Sequence, residues 1–164
     1  MSSTSEYRHT QHGPWFVILY PLSVLFILLA IFLQDFPPRY VFLPVGILLS
    51  ILATGVQYLM IEDGGDHLWI HFGPLPLFQL RIRYSDILSV QAGRSNFLDG
   101  WGIHWSLRGG WIWNIWGWNC VVIRLRKRVF FLGTNDAECL LKLLNKKVAE
   151  FGDSGNLIVR SVKT

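Results

Sequence analysis

Two unbroken apolar runs dominate the first third of the chain, Trp15 to Leu33 and Tyr40 to Met60, and beyond them the pattern relaxes into alternation. The first run, WFVILYPLSVLFILLAIFL, has 19 residues and no charge. At about 1.5 Å of rise per residue it predicts a helix about 28 Å long, close to the roughly 30 Å hydrocarbon core of a bilayer. Pro21 inside it is no obstacle, because in a membrane neighbouring helices re-satisfy the freed carbonyl. The second run has 21 residues and is also uncharged. Within it Gly46, Ser50 and Ala53, spaced by four and three, share one helix face that lets another helix approach closely; the first helix of the same chain is the expected neighbour, a second copy the alternative. The connection QDFPPR, residues 34–39, is too short for anything but a tight turn. The two runs therefore predict a transmembrane helical hairpin, 15–33 and 40–60, with both termini on one side. A cleaved signal peptide is disfavoured by the length of the first run and the lack of an A-x-A site after it.

From Gln57 onward the period becomes two. Leu59 and Ile61, then Leu68, Ile70 and Phe72, alternate with polar or amphipathic residues around Asp63-Gly64-Gly65-Asp66, a hairpin turn signal. The second helix thus passes almost directly into the first strand. Phe78, Leu80, Ile82 and Tyr84 alternate with Gln79, Arg81 and Arg83, which predicts a half-buried strand. Further strands are expected at Ile87 to Ala92, at Ile103 to Leu107, and as a hairpin of Cys120 to Arg126 with Val129 to Leu132 around Lys127-Arg128. Asn135 with Glu138 three residues on forms a capping box. After it Ala137, Leu140, Leu141, Leu144 and Val148 keep helical spacing, predicting a last helix over about 136–150. The expected layout is a polar tail over 1–14, the hairpin over 15–60, a folded domain over 61–150 and a polar tail over 151–164. Six or seven strands followed by one helix make an α+β domain, a curved antiparallel sheet with the helix across one open end.

Composition sharpens this. The chain of 164 residues is 51% hydrophobic and 16% charged, against about 25% charged in a soluble domain, and the excess lies in the two runs. Arg8 precedes the first helix, Arg39 sits between the helices, and the remaining 13 of 15 Lys and Arg follow the second. The positive-inside rule then places both termini in the cytoplasm. Cys120 and Cys139 lack metal-ligand spacing, as suits a reducing compartment. Trp15, Tyr40 and Tyr58 at the helix ends suit an interfacial aromatic belt.

Several short pieces follow one another along the chain: Gly100-Trp101-Gly102-Ile103, Gly110-Trp111-Ile112-Trp113-Asn114, Val121 to Ile123, and Leu132-Gly133-Thr134-Asn135 leading into the last helix. In this order, behind paired hydrophobic helices, they resemble the bacterial pleckstrin-homology-like (PH-like) membrane proteins, across about residues 15–150. The family pattern usually has an arginine after Trp-Gly-Ile; here that position is His104. The resemblance implies a PH-like antiparallel β-barrel or sandwich capped by one helix, and a place in the bacterial inner membrane. It implies no activity.

Two constellations are candidate binding sites. Six of the eight tryptophans fall between Trp101 and Trp118, interleaved with glycines. Three readings stand: core filling, insertion into the membrane interface, and a partner-binding surface. The split expected is Trp101 and Trp111 in the core, with Trp105, Trp113, Trp116 and Trp118 exposed. The second constellation is basic, Arg124, Arg126, Lys127 and Arg128, with Arg81 and Arg83 as possible neighbours. It reads either as a solvated strand edge that discourages edge pairing or as a seat for anionic headgroups. The acidic loop Asp63–Asp66 argues against phosphoinositide binding in the manner of eukaryotic PH domains, which use a basic loop there. His67 and His71 share a strand face but stand about 13 Å apart, too far for one metal. Asp99 and His104 flank the Trp-Gly motif, where a structural hydrogen bond is the expected role. No Cys-x-x-Cys, His-Glu-x-x-His, Walker loop or nucleophile elbow is present. The expectation is a non-enzymatic, membrane-anchored interaction module acting through the lipid bilayer, a protein partner or its own copies, without cofactor, metal or nucleic acid. The alternative is a subunit of an oligomeric channel, export or stress-protection complex.

Overall fold

Trp15–Phe32 coils into helix α1 and Arg39–Gly55 into α2. Polar side chains in an apolar stretch must find partners, and here they find each other across the helix pair. Ser23 Oγ donates to the Gly46 carbonyl at 2.8 Å and lies 2.6 Å from Ser50 Oγ, while Tyr20 Oη lies 3.0 Å from Thr54 Oγ1. The Phe26 and Phe42 rings meet edge to face at 5.8 Å. These pairings run in opposite sequence directions, so the helices lie antiparallel. The small-residue face of α2 is turned onto α1, with Ala53 fully buried and a Cβ on Gly46 only 2.7 Å from Ile27 Cγ1. Elsewhere both helices present Leu, Ile, Val and Phe outward. Soluble monomers rarely expose so continuous an apolar face. α1 is long and apolar enough to cross a membrane, and the apolar stretch of α2, Tyr40–Gly55, is shorter.

A computed structural model describes residues 7–33, 37, 39–75, 77–95 and 100–161, with Arg39 and 152–161 as backbone alone. The remaining strands are β1 Arg8–His12, β2 Tyr58–Asp63, β3 His67–Phe72, β4 Gln79–Arg83, β5 Ile87–Arg94, β6 Gly102–Ser106, β7 Gly110–Asn114, β8 Asn119–Leu125 and β9 Val129–Gly133; a 3-10 turn at Tyr84–Asp86 links β4 to β5, and helix α3 spans Ala137–Ser161. The fold is α+β. One sheet has the order β1-β2-β3-β4 and the other β5-β8-β9-β7-β6. Their inner faces meet in one core. Leu59, Ile61, Leu68, Ile70, Phe72 and Ile82 come from the first sheet, Trp113, Val121, Ile123, Phe130 and Leu132 from the second, and Leu140, Leu143 and Leu144 from α3. α3 lies against β5, β8 and the 3-10 turn.

The structure departs from the sequence expectation in several places. The 1–14 segment is not simply a tail: Arg8–His12 pairs antiparallel with β2, from Arg8↔Glu62 to His12↔Tyr58. Its alternation is masked because its inward neighbour, Gln11, is polar. The second apolar run leaves the helix at Gly55, since Tyr58 to Met60 are taken by the β2 ladder. β7 lies in a stretch for which no strand was expected, and it pairs parallel with β9, Trp111↔Phe130 to Trp113↔Leu132, so the second sheet is mixed rather than antiparallel. The sheets do not close into a barrel, because β4 and β6 are terminal strands among the described residues. Finally, α3 continues to Ser161, past the expected end near 150.

The turn end of β2 is fastened to α3 by a buried carboxylate. Asp63 receives hydrogen bonds from the Gly65 N–H at 2.8 Å and the Tyr84 hydroxyl at 2.8 Å, and pairs with Lys147 Nζ at 3.0 Å. Burial pushes the Asp63 carboxyl up, but the Gly65, Lys147 and Tyr84 hydrogen bonds outweigh it and hold it below the usual carboxylate range. A carboxyl lowered in the folded state stabilises the fold above its unfolded value, about 3.9, and that contribution fades as pH falls through the lower folded value. Thermal unfolding in detergent, followed by circular dichroism, is therefore expected to stay level near neutrality and to fall below about pH 4. Lys147→Met is expected to cost roughly 3 kcal/mol at pH 7 by leaving the carboxylate buried without its cation, and to flatten the acid limb. In the helix pair, Gly46→Leu should lower the same unfolding temperature, by roughly 1–3 kcal/mol of overpacking, because Ile27 and the Ser23 carbonyl occupy the space.

Candidate functional site: an aromatic cleft with a basic rim

Strand alternation decides which tryptophans meet. On β6, Ile103 and Trp105 share a face, and on β7 so do Trp111 and Trp113. The register sets Ile103 opposite Trp113, Trp105 opposite Trp111, and Trp111 opposite Phe130 of β9. All five side chains belong to the inner face of the second sheet. The first sheet covers only part of that face. Trp113, 8% exposed, lies under Phe72 with ring centroids 5.8 Å apart, but Trp111 is 38% and Trp105 58% exposed. The rings of Trp105 and Trp111 stand edge to face at 5.7 Å. The uncovered part of the face is a cleft of about 420 Å³, bounded by Leu80 of β4 on one side and by Lys127 and Arg128 of the β8–β9 turn on the other.

The turn itself is closed by the Leu125 N–H donating to the Arg128 carbonyl at 2.8 Å. Arg126, Lys127 and Arg128 are all exposed, and none forms an ion pair among the described residues. They also line, with Asp86 and Leu125, an adjoining hollow of about 260 Å³. Long basic side chains lie along apolar surface with their charged heads in water, so the rim carries positive charge above an aromatic floor.

The other candidate residues lie elsewhere. Arg124 is exposed on β8, between Ser89 and Val129 in the ladder, and alternation turns it away from the face of Ile123. Arg81 lies over the Trp69 ring at 5.4 Å on the outer face of the first sheet, and Arg83 pairs with His67 in the β3–β4 register. Trp116 and Trp118 belong to a second aromatic group at the opposite end of β7 and β8. Trp101 stacks on Trp116 at 4.6 Å and leans on Trp118 at 5.6 Å, and Trp15, the first residue of α1, meets Trp101 at 5.6 Å. Trp15 Nε1 donates to the Ile115 carbonyl at 3.1 Å, and Gln11 Nε2 to the Trp116 carbonyl at 2.6 Å. This group therefore sits where the chain enters α1. The seven residues of β8 place the basic turn about 20 Å along the sheet from it.

The expected split of the tryptophans is thus corrected at three positions, one of them Trp101, expected core but half-buried in the group at the root of α1. Trp113, expected exposed, is core; Trp111, expected core, lines the cleft. Both point inward, and which one is covered depends on how far the first sheet reaches, which alternation alone does not encode. Leu80, Ile103 and Phe130 read in the sequence as strand positions rather than as site residues; the parallel β7–β9 pairing brings Phe130 beside Trp111. Asp99 lies outside the described residues, and His104 stands opposite Ile112, on the face away from the cleft. Among the described residues no three or more His, Cys, Asp or Glu converge on a point.

Asn114 holds the segment that carries Trp116. It is buried, donates from Nδ2 to the Gly117 carbonyl at 3.0 Å and accepts the Trp116 N–H at 3.1 Å. Gly133 leaves it room, since any Cβ there would collide with the Asn114 amide. Asn114→Ala is expected to destabilise the fold by roughly 1–3 kcal/mol, because the Trp116 N–H loses its acceptor and the Gly117 carbonyl keeps only Trp101 Nε1 and Ser95 Oγ as donors, and to speed amide exchange at 115–118; exchange mass spectrometry checks this.

The chain matches no protein-family model and no curated protein.

Proposed function

We propose that the chain is a membrane-anchored, PH-like interaction module without catalytic activity, whose helix pair sits in the bacterial inner membrane and whose cleft receives a partner on the cytoplasmic side. The observation that carries the reading is the uncovered inner face at Trp105 and Trp111 beneath an unpaired basic rim. A folded domain does not leave two indoles and a basic turn open at the mouth of its core without cost, and such concave, largely apolar sites with a few placed polar groups are where ligands bind. Against catalysis, Lys127 is the one nucleophile lining the cleft among the described residues, and no acid–base partner lines it too. The PH-like assignment is supported by two packed sheets with the C-terminal helix against one side of the second.

The membrane placement is supported by the outward apolar surface of α1 and by the aromatic group at its root. In this reading both helices cross the bilayer, and Trp116 and Trp118 lie at the lipid interface, where indole is favoured. The exposed Leu75, Leu77 and Phe78 join them, Leu77 lying against Gly55 at the end of α2. Assembly through the small-residue face of α2 is disfavoured, because α1 occupies it.

Two measurements test this. In bilayers of brominated lipid, a variant retaining Trp116 or Trp118 alone should be strongly quenched and one retaining Trp105 alone should not; equal quenching would refute the placement. A photo-crosslinking amino acid in place of Leu107, which is 88% exposed beside β6, should yield a discrete adduct with a second polypeptide in native membranes. Adducts with lipid alone, or none, would refute the docking reading.

A further inference from the structure

Resting on that docking reading, we infer that the cleft binds an extended peptide segment in which an aromatic or large aliphatic side chain is flanked by Asp or Glu. Three features select this occupant. The first is charge. Lys127 and Arg128 line the cleft, Arg126 stands next to them in the adjoining hollow, and all three are exposed and free of ion pairs among the described residues, so carboxylates would complete the rim, and Arg in particular matches carboxylate geometry.

The second is the floor. Trp105 and Trp111, half open and edge to face, offer an apolar seat for one large side chain, and buried aromatic contacts of this kind dominate recognition energies. The third is the sheet edge beside it. β6 ends the second sheet among the described residues, and a terminal strand presents backbone N–H and C=O groups that an added strand pairs with. With a pleat of period two, a peptide laid along β6 directs every second side chain toward the Trp105 face. A lipid has no backbone to offer that edge. The basic rim also lies about 20 Å along the sheet from the aromatic group at the helix root, which turns the cleft toward a soluble segment rather than the anchoring bilayer.

The test uses the full chain in nanodiscs, immobilised and screened against a displayed library of random peptides of about 12 residues, long enough to run the length of β6. The expected outcome is enrichment of sequences with Trp, Phe or Leu beside Asp or Glu. A synthetic peptide from the enriched set should bind in fluorescence anisotropy, about tenfold or more weaker to Trp105→Ala and weaker still to the Lys127→Glu, Arg128→Glu pair. It should bind Trp118→Ala as it binds the parent chain. Raising salt should weaken it, because the rim is exposed. Both cleft substitutions are at exposed positions, and an unchanged unfolding temperature shows that the fold survives them. Enrichment of basic or charge-free peptides, no enrichment, or binding indifferent to the charge reversal would overturn the inference. Retention of phosphatidylglycerol by the purified chain, lost in the charge-reversed pair and unaffected by peptide, would assign the cleft to lipid and overturn it too. If the Leu107 position still cross-links a polypeptide in membranes while no acidic sequence is enriched, docking stands and this partner class falls.

Discussion

The pairing of β1 with β2 is the constraint on which the rest of the molecule depends. The chain leaves β1 at His12 and enters α1 at Trp15; it leaves α2 at Gly55 and enters β2 at Tyr58. The helix pair therefore grows out of two hydrogen-bonded neighbours, and the Gly13 N–H donating to the Gln57 carbonyl at 3.2 Å carries that ladder to the helix ends. Paired strands lie about 4.8 Å apart, whereas packed helix axes lie about 8–10 Å apart. The chain must splay within two residues on each side. Glycines mark where this happens. A Cβ on Gly13 would come within 2.5 Å of Ile115 Cγ1, and one on Gly73, at φ +58°, within 2.5 Å of the Gly55 carbonyl oxygen. Helix root, first sheet and β7–β8 loop thus meet in one crowded joint.

From that joint the second sheet inherits its polarity. β9 lies between β8 and β7 and runs parallel to β7, so the β7–β8 loop and the β8–β9 turn fall at opposite ends. The glycine-spaced tryptophans are thereby divided. Trp101, Trp116 and Trp118 gather with Trp15 at the root, while Trp105 and Trp111 look out beneath the basic turn at the far end. One run of sequence supplies two surfaces of different chemistry, one purely aromatic, the other aromatic and cationic.

Much of this was legible in the residues. The apolar runs announced α1 and α2, the Gly46, Ser50 and Ala53 spacing announced the face between them, and the Asp-Gly-Gly-Asp turn and period-two alternation located β2 to β6, β8 and β9. The parts that escaped share one cause: they are specified by partners distant in the chain. β1 is RHTQH, polar at most positions, and is a strand because β2 offers it an edge. β7 was not expected as a strand because glycines interleave its tryptophans, yet Gly110, its first residue, is there so that the backbone of Val129 can come close, a Cβ meeting its carbonyl oxygen at 2.7 Å. The cleft escaped for the same reason. Its tryptophans and basic residues were each conspicuous, but the parallel pairing that brings them to one face leaves no local trace.

The brevity of the two connections has a mechanical consequence. With two residues between strand and helix on each side and Gly13 hydrogen-bonded to Gln57 across them, the helix pair is joined to the sheets as a lever rather than by a tether. In the membrane placement proposed above, a change in the tilt of the helix pair, which bilayer thickness influences, would be passed to the sheets as a rotation of the domain. With an arm of about 20 Å, a rotation of roughly ten degrees, within the spread of membrane helix tilts, swings the basic turn by about 3–4 Å. In that placement the height of the cleft above the lipid would be a property of the membrane as much as of the protein.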